Sequence, residues 1–205
     1  MDKLKKSLFV NKKIFVFLIC LSLIGVVFGS LLPVFMSEND KTLVSEYMIS
    51  FVENIKNNND YLNVFVNCIF SSVGFSILVW LLGVSIIGVP LILFMFFSKC
   101  FVLGFSITSI ILNYGLKGSL FSFAYIFPHQ IIYILIYSFL TNYSLVFSVK
   151  FIFYIFNKVD FNLKLSFNRY LKKLGICLCL LVLCCLFETF VHPFIMNFVF
   201  KFLGI

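Results

Sequence analysis

The sequence predicts an all-α integral membrane protein with about five transmembrane helices. Of its 205 residues, 62% are apolar and only 12% are charged, and the mean hydropathy is +1.11. Soluble domains carry about 25% charged residues, and disordered chains have low hydrophobicity, so the composition excludes both classes. The net charge of +8 comes from basic residues beside apolar stretches, which indicates membrane topology and argues against nucleic-acid binding.

The basic N-terminus, residues 1–13, leads into the first predicted span at 14–36. Those 23 residues carry no charge and are long enough to cross a hydrocarbon core about 30 Å thick. A cleavable signal peptide is the alternative interpretation. Its apolar region would end after about 7–15 residues, whereas this one continues, so we expect an uncleaved membrane anchor.

Residues 37–61 form an acidic segment that predicts an amphipathic helix. Apolar side chains, Phe51 and Ile55 among them, recur at helical spacing, and Glu46 and Glu53 lie on the other side. We expect this helix to lie on the outer membrane surface or against a partner protein. The alternative is that it packs on the protein's own transmembrane bundle, and the sequence leaves these options open.

The polytopic membrane core at 62–157 has very few charges, so glycine and proline must divide it. The predicted breaks fall at Gly83, Gly88 and Pro90, at a turn over 114–118, and at Pro128. Three spans result, at 62–82, at 91–112, and in a long tilted helix from His129 to near Asn157, with a short helix before Pro128.

A basic cytoplasmic loop at 158–173 separates this core from the last predicted span at 174–200 and an external tail at 201–205. The positive-inside rule places the N-terminus and this loop in the cytoplasm, and the acidic segment and the C-terminus outside. We expect Lys99 to extend its side chain to the cytoplasmic face. An alternative count of six spans would place the C-terminus inside.

Glu188 is the sequence's best candidate for chemistry inside the membrane. It shares a helix face with His192, four residues later, and an ionisable residue at this depth is a functional-site candidate by default. We expect it to be protonated, or paired with His192 or with His129. The role stays open between a structural contact, a proton or ion site, and a metal site shared with a neighbouring cysteine.

The other signals for chemistry are weak. The seven cysteines contain no C-x-x-C pair. We expect them to be buried apolar residues that form no disulfide. We find no nucleophile–base or metal constellation, and expect neither enzyme activity, nor a metal, nor a cofactor. Two proline-broken segments, near Pro90 and Pro128, are a pattern seen in transporters, so a membrane transporter or lipid-handling protein using Glu188 is the alternative function.

Four stretches of the chain carry a family resemblance. Residues 81–90, L-L-G-V-S-I-I-G-V-P, resemble a motif L-G-x-S-I-I-G-x-P, and 99–105 are similar to K-G-x-x-x-G-F. Residues 186–188, L-F-E, followed by Pro193, resemble a closing L-F-E-x-x-x-x-P, and 25–30 resemble the matching first span. These motifs are those of the stage II sporulation protein M family, and the likeness runs nearly end to end.

The chain departs from that family at two places. Cys100 replaces the first glycine of K-G-x-x-x-G-F. The family often shows P-H-G-x-x-E, whereas Pro128-His129 is followed here by Gln130, and Tyr133 stands where the glutamate would be. A role assigned to that glutamate therefore does not carry over to this chain.

The resemblance implies a non-enzymatic membrane scaffold in endospore formation. It would anchor peptidoglycan-degrading partners, stage II sporulation proteins D and P, at the septum in the mother-cell membrane during forespore engulfment. Besides the lipid bilayer, a second copy of the chain is a partner that the sequence leaves open. Our candidates for structural or interaction roles are Gly83, Gly88, Pro90, Pro128, His129, Glu188, His192, Pro193, Phe51 and Ile55.

Overall fold

The protein is a bundle of long helices. A computed structural model describes residues 12–57, 61–85, 87–157 and 163–191. Its helices are α1 (Lys12–Phe35), α2 (Glu38–Asn57), α3 (Tyr61–Val84), α4 (Gly88–Tyr125), α5 (Phe127–Asn157) and α6 (Leu163–Phe190). Within those ranges the chain has no strand. The predicted all-α fold class is confirmed.

Five of these helices, α1, α3, α4, α5 and α6, are long and apolar enough to cross a membrane. The described part of the chain therefore supports the predicted five spans. The acidic segment forms α2, a helix as predicted. Ser37 caps it, because its hydroxyl accepts a hydrogen bond from the backbone N–H of Asp40 at 3.4 Å and donates one to the Asp40 carboxylate at 2.6 Å.

The breaks in the second half of the core lie where glycine and proline predict them. Gly115 has φ 59° and ψ −135°, a backbone conformation that glycine adopts without a steric penalty, and it interrupts α4 within the predicted turn. A short helical stretch follows, and α5 begins at Phe127. Pro128 then lies in the first turn of α5, where its missing N–H costs no helical hydrogen bond.

The start of the last helix differs from its predicted position. The sequence predicts a loop through residue 173, but α6 already begins at Leu163. Lysine and arginine are good helix formers, so the charges do not end the helix. Instead they lie on its exposed side, as Arg169 and Lys172 do, while Tyr170 and Leu174 are buried against the bundle.

Close helix packing joins α1 to α4. A Cβ atom on Gly29 would lie 2.0 Å from the carbonyl oxygen of Phe101, and one on Gly104 would lie 2.2 Å from the carbonyl oxygen of Val26. Gly25 faces Cys100, the residue that departs from the family pattern. Small residues let membrane helices approach backbone to backbone, so the G-x-x-x-G pair of α1 is a helix-packing site.

The orientation of the bundle remains a prediction that topology reporters test. We expect a reporter fused after Asn157 to score cytoplasmic and one fused at Ile205 to score external, because basic residues dominate 158–173 and the positive-inside rule retains them. The measurement is paired alkaline phosphatase and fluorescent-protein fusions. An external signal after Asn157 contradicts the five-span topology.

Candidate intramembrane polar site

A cluster of polar side chains surrounds Glu188 between α3, α5 and α6. The hydroxyl of Tyr133 donates a hydrogen bond to Oε2 of Glu188 at 3.1 Å, and the thiol of Cys68 donates another at 3.3 Å. Nε2 of His129, from the start of α5, lies 3.8 Å from Oε1, within ion-pair distance when the imidazole is protonated. The structure thus brings together Glu188 and His129, two residues selected from the sequence.

Tyr133 is the centre of this hydrogen-bond network. Its hydroxyl lies 3.1 Å from the sulfur of Cys68 and 3.2 Å from the sulfur of Cys185. A phenol and a thiol each have only one proton, so when Tyr133 and Cys68 both donate to Glu188, the oxygen of Tyr133 can accept from Cys185 but not from Cys68. Cys185 also lies 3.9 Å from Oγ of Ser72. Three helices are therefore joined through one side chain, at the position where the family often carries a glutamate.

A polar cavity of about 250 Å³ adjoins this cluster. Its wall includes Lys99 from α4, Gln130 from α5, Ser72 from α3 and Glu188 from α6. One water molecule occupies about 30 Å³ of liquid, so the cavity has room for several. An intramembrane cavity with a lysine and a glutamate on its wall provides hydrogen-bonding groups for a polar ligand or for ordered water.

The position of Lys99 corrects the sequence prediction. We predict from the sequence that its side chain reaches the cytoplasmic face, but Nζ lies 4.8 Å from the ring centroid of Phe75, inside the bundle. The aromatic face attracts the ammonium group and partly replaces water around it. Lys99 also borders a second cavity of about 330 Å³, whose wall includes Gln130 again and reaches Tyr47 of α2.

The glycines of the L-G-V-S-I-I-G-V-P stretch form the tight connection between α3 and α4. A Cβ atom on Gly88 would lie 1.7 Å from the carbonyl oxygen of Leu82, so only glycine fits there. A Cβ atom on Gly83 would lie 2.1 Å from the hydroxyl of Tyr170, which hydrogen-bonds with the carbonyl of Trp80 at 2.9 Å. Pro90 lies in the first turn of α4. The atoms nearest to the added Cβ positions belong to Leu82 and Tyr170, which are not members of the Glu188 cluster.

The remaining sequence candidates are only partly described. The backbone of Pro128 belongs to α5, and those of Phe51 and Ile55 belong to α2, but their side chains lie outside the described residues. His192 and Pro193 lie outside them altogether. Lys99, Cys68 and Tyr133 are site residues that the sequence did not indicate. The sequence signal that singles out Tyr133 is its position, because it stands where the family often has a glutamate.

The chemistry available at this site is hydrogen bonding and ion pairing. Within the described ranges no group of three or more His, Cys, Asp or Glu side chains is arranged to hold a metal ion. The cysteines in the described ranges form no disulfide. Glu188 is an acceptor with donors from two other helices, an arrangement that can hold the bundle together or bind a small polar ligand.

Five apolar helices, three of which enclose a polar cluster, define a multi-pass helical membrane protein. A family model for Stage II sporulation protein M matches residues 14–193. The chain therefore belongs to that family, which has a role in sporulation, and the predicted resemblance is confirmed. No curated protein gives a significant match, and no solved structure does.

Proposed function

We propose that the chain is a non-enzymatic membrane scaffold that anchors peptidoglycan-degrading partners at the septum during forespore engulfment. The family supports the role in sporulation. The family resemblance implies the partners, which are stage II sporulation proteins D and P. It also implies the location, which is the mother-cell membrane at the septum. The observation that supports the scaffold role is the exposed apolar face of α2.

The apolar side of α2 is divided between the bundle and the outside. Met48 packs against the cluster around Ile110 of α4, so part of the helix rests on its own bundle. Leu43 and Tyr47 belong to the same broad apolar side but are 60% and 78% exposed. One flank of the helix therefore packs on the protein's own bundle, and the other flank is exposed. The exposed flank is the surface we assign to a partner.

The test is recovery of partners with α2 variants. We expect Leu43→Asp to lower recovery of the peptidoglycan-degrading partners by about tenfold, since burying a large apolar side chain contributes about 1.5–3 kcal/mol and tenfold is about 1.4 kcal/mol. Phe51→Asp and Ile55→Asp should weaken association or detach the helix. Affinity purification of cross-linked complexes from sporulating cells measures recovery.

Glu46→Gln is the matched control, because it changes an exposed polar residue on the same helix and should leave recovery unchanged. Thermal unfolding of each variant in detergent separates loss of binding from loss of fold. Wild-type recovery in the Asp variants, with wild-type unfolding temperatures, would show that α2 is a linker and not a docking helix.

A transporter is the second candidate, and the cavities beside Lys99 favour it. The cavity at Glu188 and the cavity that reaches Tyr47 share Lys99 and Gln130 on their walls, so polar side chains follow one another from α2 to Glu188. Such a series could admit a small polar solute or a proton. A transporter of this kind requires a titratable carboxyl group at residue 188, whereas a scaffold requires only its hydrogen bonds.

A further inference from the structure

A long apolar groove runs between α5 and α6 on the outside of the bundle. It has a volume of about 540 Å³, within the range of about 300–1,000 Å³ typical of ligand sites. Residues such as Ile136 and Phe139 form one wall, and Ile176 and Leu180 form the other. Both helices are candidate membrane spans, so the groove lies where lipid surrounds the protein.

Each wall of the groove follows one face of a helix. The groove residues of α6 include Lys173, Ile176, Leu180, Leu183 and Phe187, which are spaced by three or four residues and so share a face. From Lys173 to Phe187 the helix rises about 21 Å at 1.5 Å per residue. Half of a bilayer with its headgroups is about 20–22 Å thick, so the groove has the length of one lipid leaflet.

One end of the groove is basic. Nζ of Lys173 lies 3.3 Å from the hydroxyl of Tyr143 and 4.6 Å from the centroid of its ring, and both residues line the groove. Arg169 is exposed one turn before Lys173, at a spacing of four residues that places it near the same face.

The first helix adds basic residues at the same level. The rings of Phe15 in α1 and Phe139 in α5 have centroids 5.3 Å apart. The exposed pair Lys12 and Lys13 begins α1 one turn before Phe15, and Tyr143 lies one turn after Phe139. Basic residues of both α1 and α6 therefore lie at the same height in the bundle as the basic end of the groove.

We propose that this groove binds one anionic phospholipid, with its phosphate at Lys173 and an acyl chain along the α5–α6 walls. The apolar walls match the chain, and the basic end matches a negatively charged headgroup. The lipid would come from the leaflet that faces the N-terminus of α1. This site is separate from the exposed flank of α2 and does not depend on the scaffold proposal.

Native mass spectrometry of the purified full chain tests the proposal. The protein is incubated with equal amounts of phosphatidylglycerol and phosphatidylcholine that carry the same acyl chains. We expect wild type to retain phosphatidylglycerol over phosphatidylcholine by about fivefold or more. Lys173→Gln should lower this preference by about fivefold, which corresponds to about 1 kcal/mol for one lysine near a membrane surface.

Two further variants keep the test decisive. Lys150→Gln removes an exposed lysine of α5 that does not line the groove, and it should keep the wild-type preference. Leu180→Trp fills the groove and should lower retention of both lipids. If Lys173→Gln fails to fold, Leu180→Trp decides the outcome.

Several results overturn the proposal. The first is a lipid preference that Lys173→Gln leaves unchanged, or that Lys150→Gln lowers equally. The second is wild-type lipid retention in Leu180→Trp. The third is competition by glycerol 3-phosphate without acyl chains, which would indicate a phosphate site and not a lipid site. The fourth is a lipid-free dimer lost on Leu180→Trp, which would assign the groove to a second copy of the chain.

Discussion

Replacing Gly29 with alanine is expected to destabilise the bundle strongly by forcing α1 away from α4. The new Cβ atom would lie 2.0 Å from the carbonyl oxygen of Phe101 and 2.8 Å from its carbonyl carbon. These are backbone atoms, so no side chain can rotate away and the helices themselves must shift. Overpacking of this kind typically costs about 1–3 kcal/mol, and a contact with backbone belongs at the upper end.

Gly74→Ala is the matched control for this prediction. It also places a methyl group on a glycine of a membrane helix, but no atom of another described helix lies within 4 Å of the added Cβ. Thermal unfolding in detergent, followed by scanning fluorimetry, should show a lower unfolding temperature for Gly29→Ala and a wild-type temperature for Gly74→Ala. Equal temperatures for both variants would mean that α1 and α4 are not in close backbone contact.

Glu188→Leu is the second substitution with a large expected effect. Leucine cannot accept the hydrogen bonds of Tyr133 and Cys68, and each donor left unsatisfied inside the bundle costs about 1–3 kcal/mol. Glu188→Gln keeps an acceptor oxygen in nearly the same place. We therefore expect Glu188→Leu to lose stability or partner assembly, and Glu188→Gln to keep the fold, with unfolding temperature and partner recovery measured for both.

The glutamine variant also separates the two candidate functions. A scaffold should support assembly and engulfment at near wild-type levels with glutamine at residue 188, because the hydrogen bonds persist. A transporter that uses the carboxyl group should fail. If the Glu188→Gln variant folds and assembles normally but has lost function, the transporter hypothesis replaces the scaffold hypothesis.

The helices and their breaks could be predicted because each depends on local sequence. Gly115 and Pro128 mark the breaks through their own backbone preferences, and the apolar lengths mark the spans. The start of α6 could not be located in this way. Its charges suggested a loop, whereas a helix tolerates lysine and arginine on one exposed side, and burial of Tyr170 on the other side is a tertiary property.

Only part of the site could be predicted from the sequence, for a similar reason. Glu188 is conspicuous as an ionisable residue in an apolar run, and the sequence predicts His129 as one of its two possible partners. Cys68 and Tyr133 are ordinary apolar-helix residues in sequence terms, and they meet Glu188 only because α3, α5 and α6 pack together. The sequence predicts Lys99 at the membrane surface, because sequence alone does not show which side of a long helix faces a cavity.

Site-specific photo-cross-linking from α2 tests the scaffold proposal most directly. A photoreactive amino acid placed at Leu43, on the exposed flank, is activated in sporulating cells, and the captured proteins are identified by mass spectrometry. Val149 of α5, an exposed apolar position away from α2, is the matched control. We predict that position 43 captures peptidoglycan-degrading partners and that position 149 does not. Capture of lipid alone at position 43, or of the same proteins at both positions, would contradict a docking role for α2.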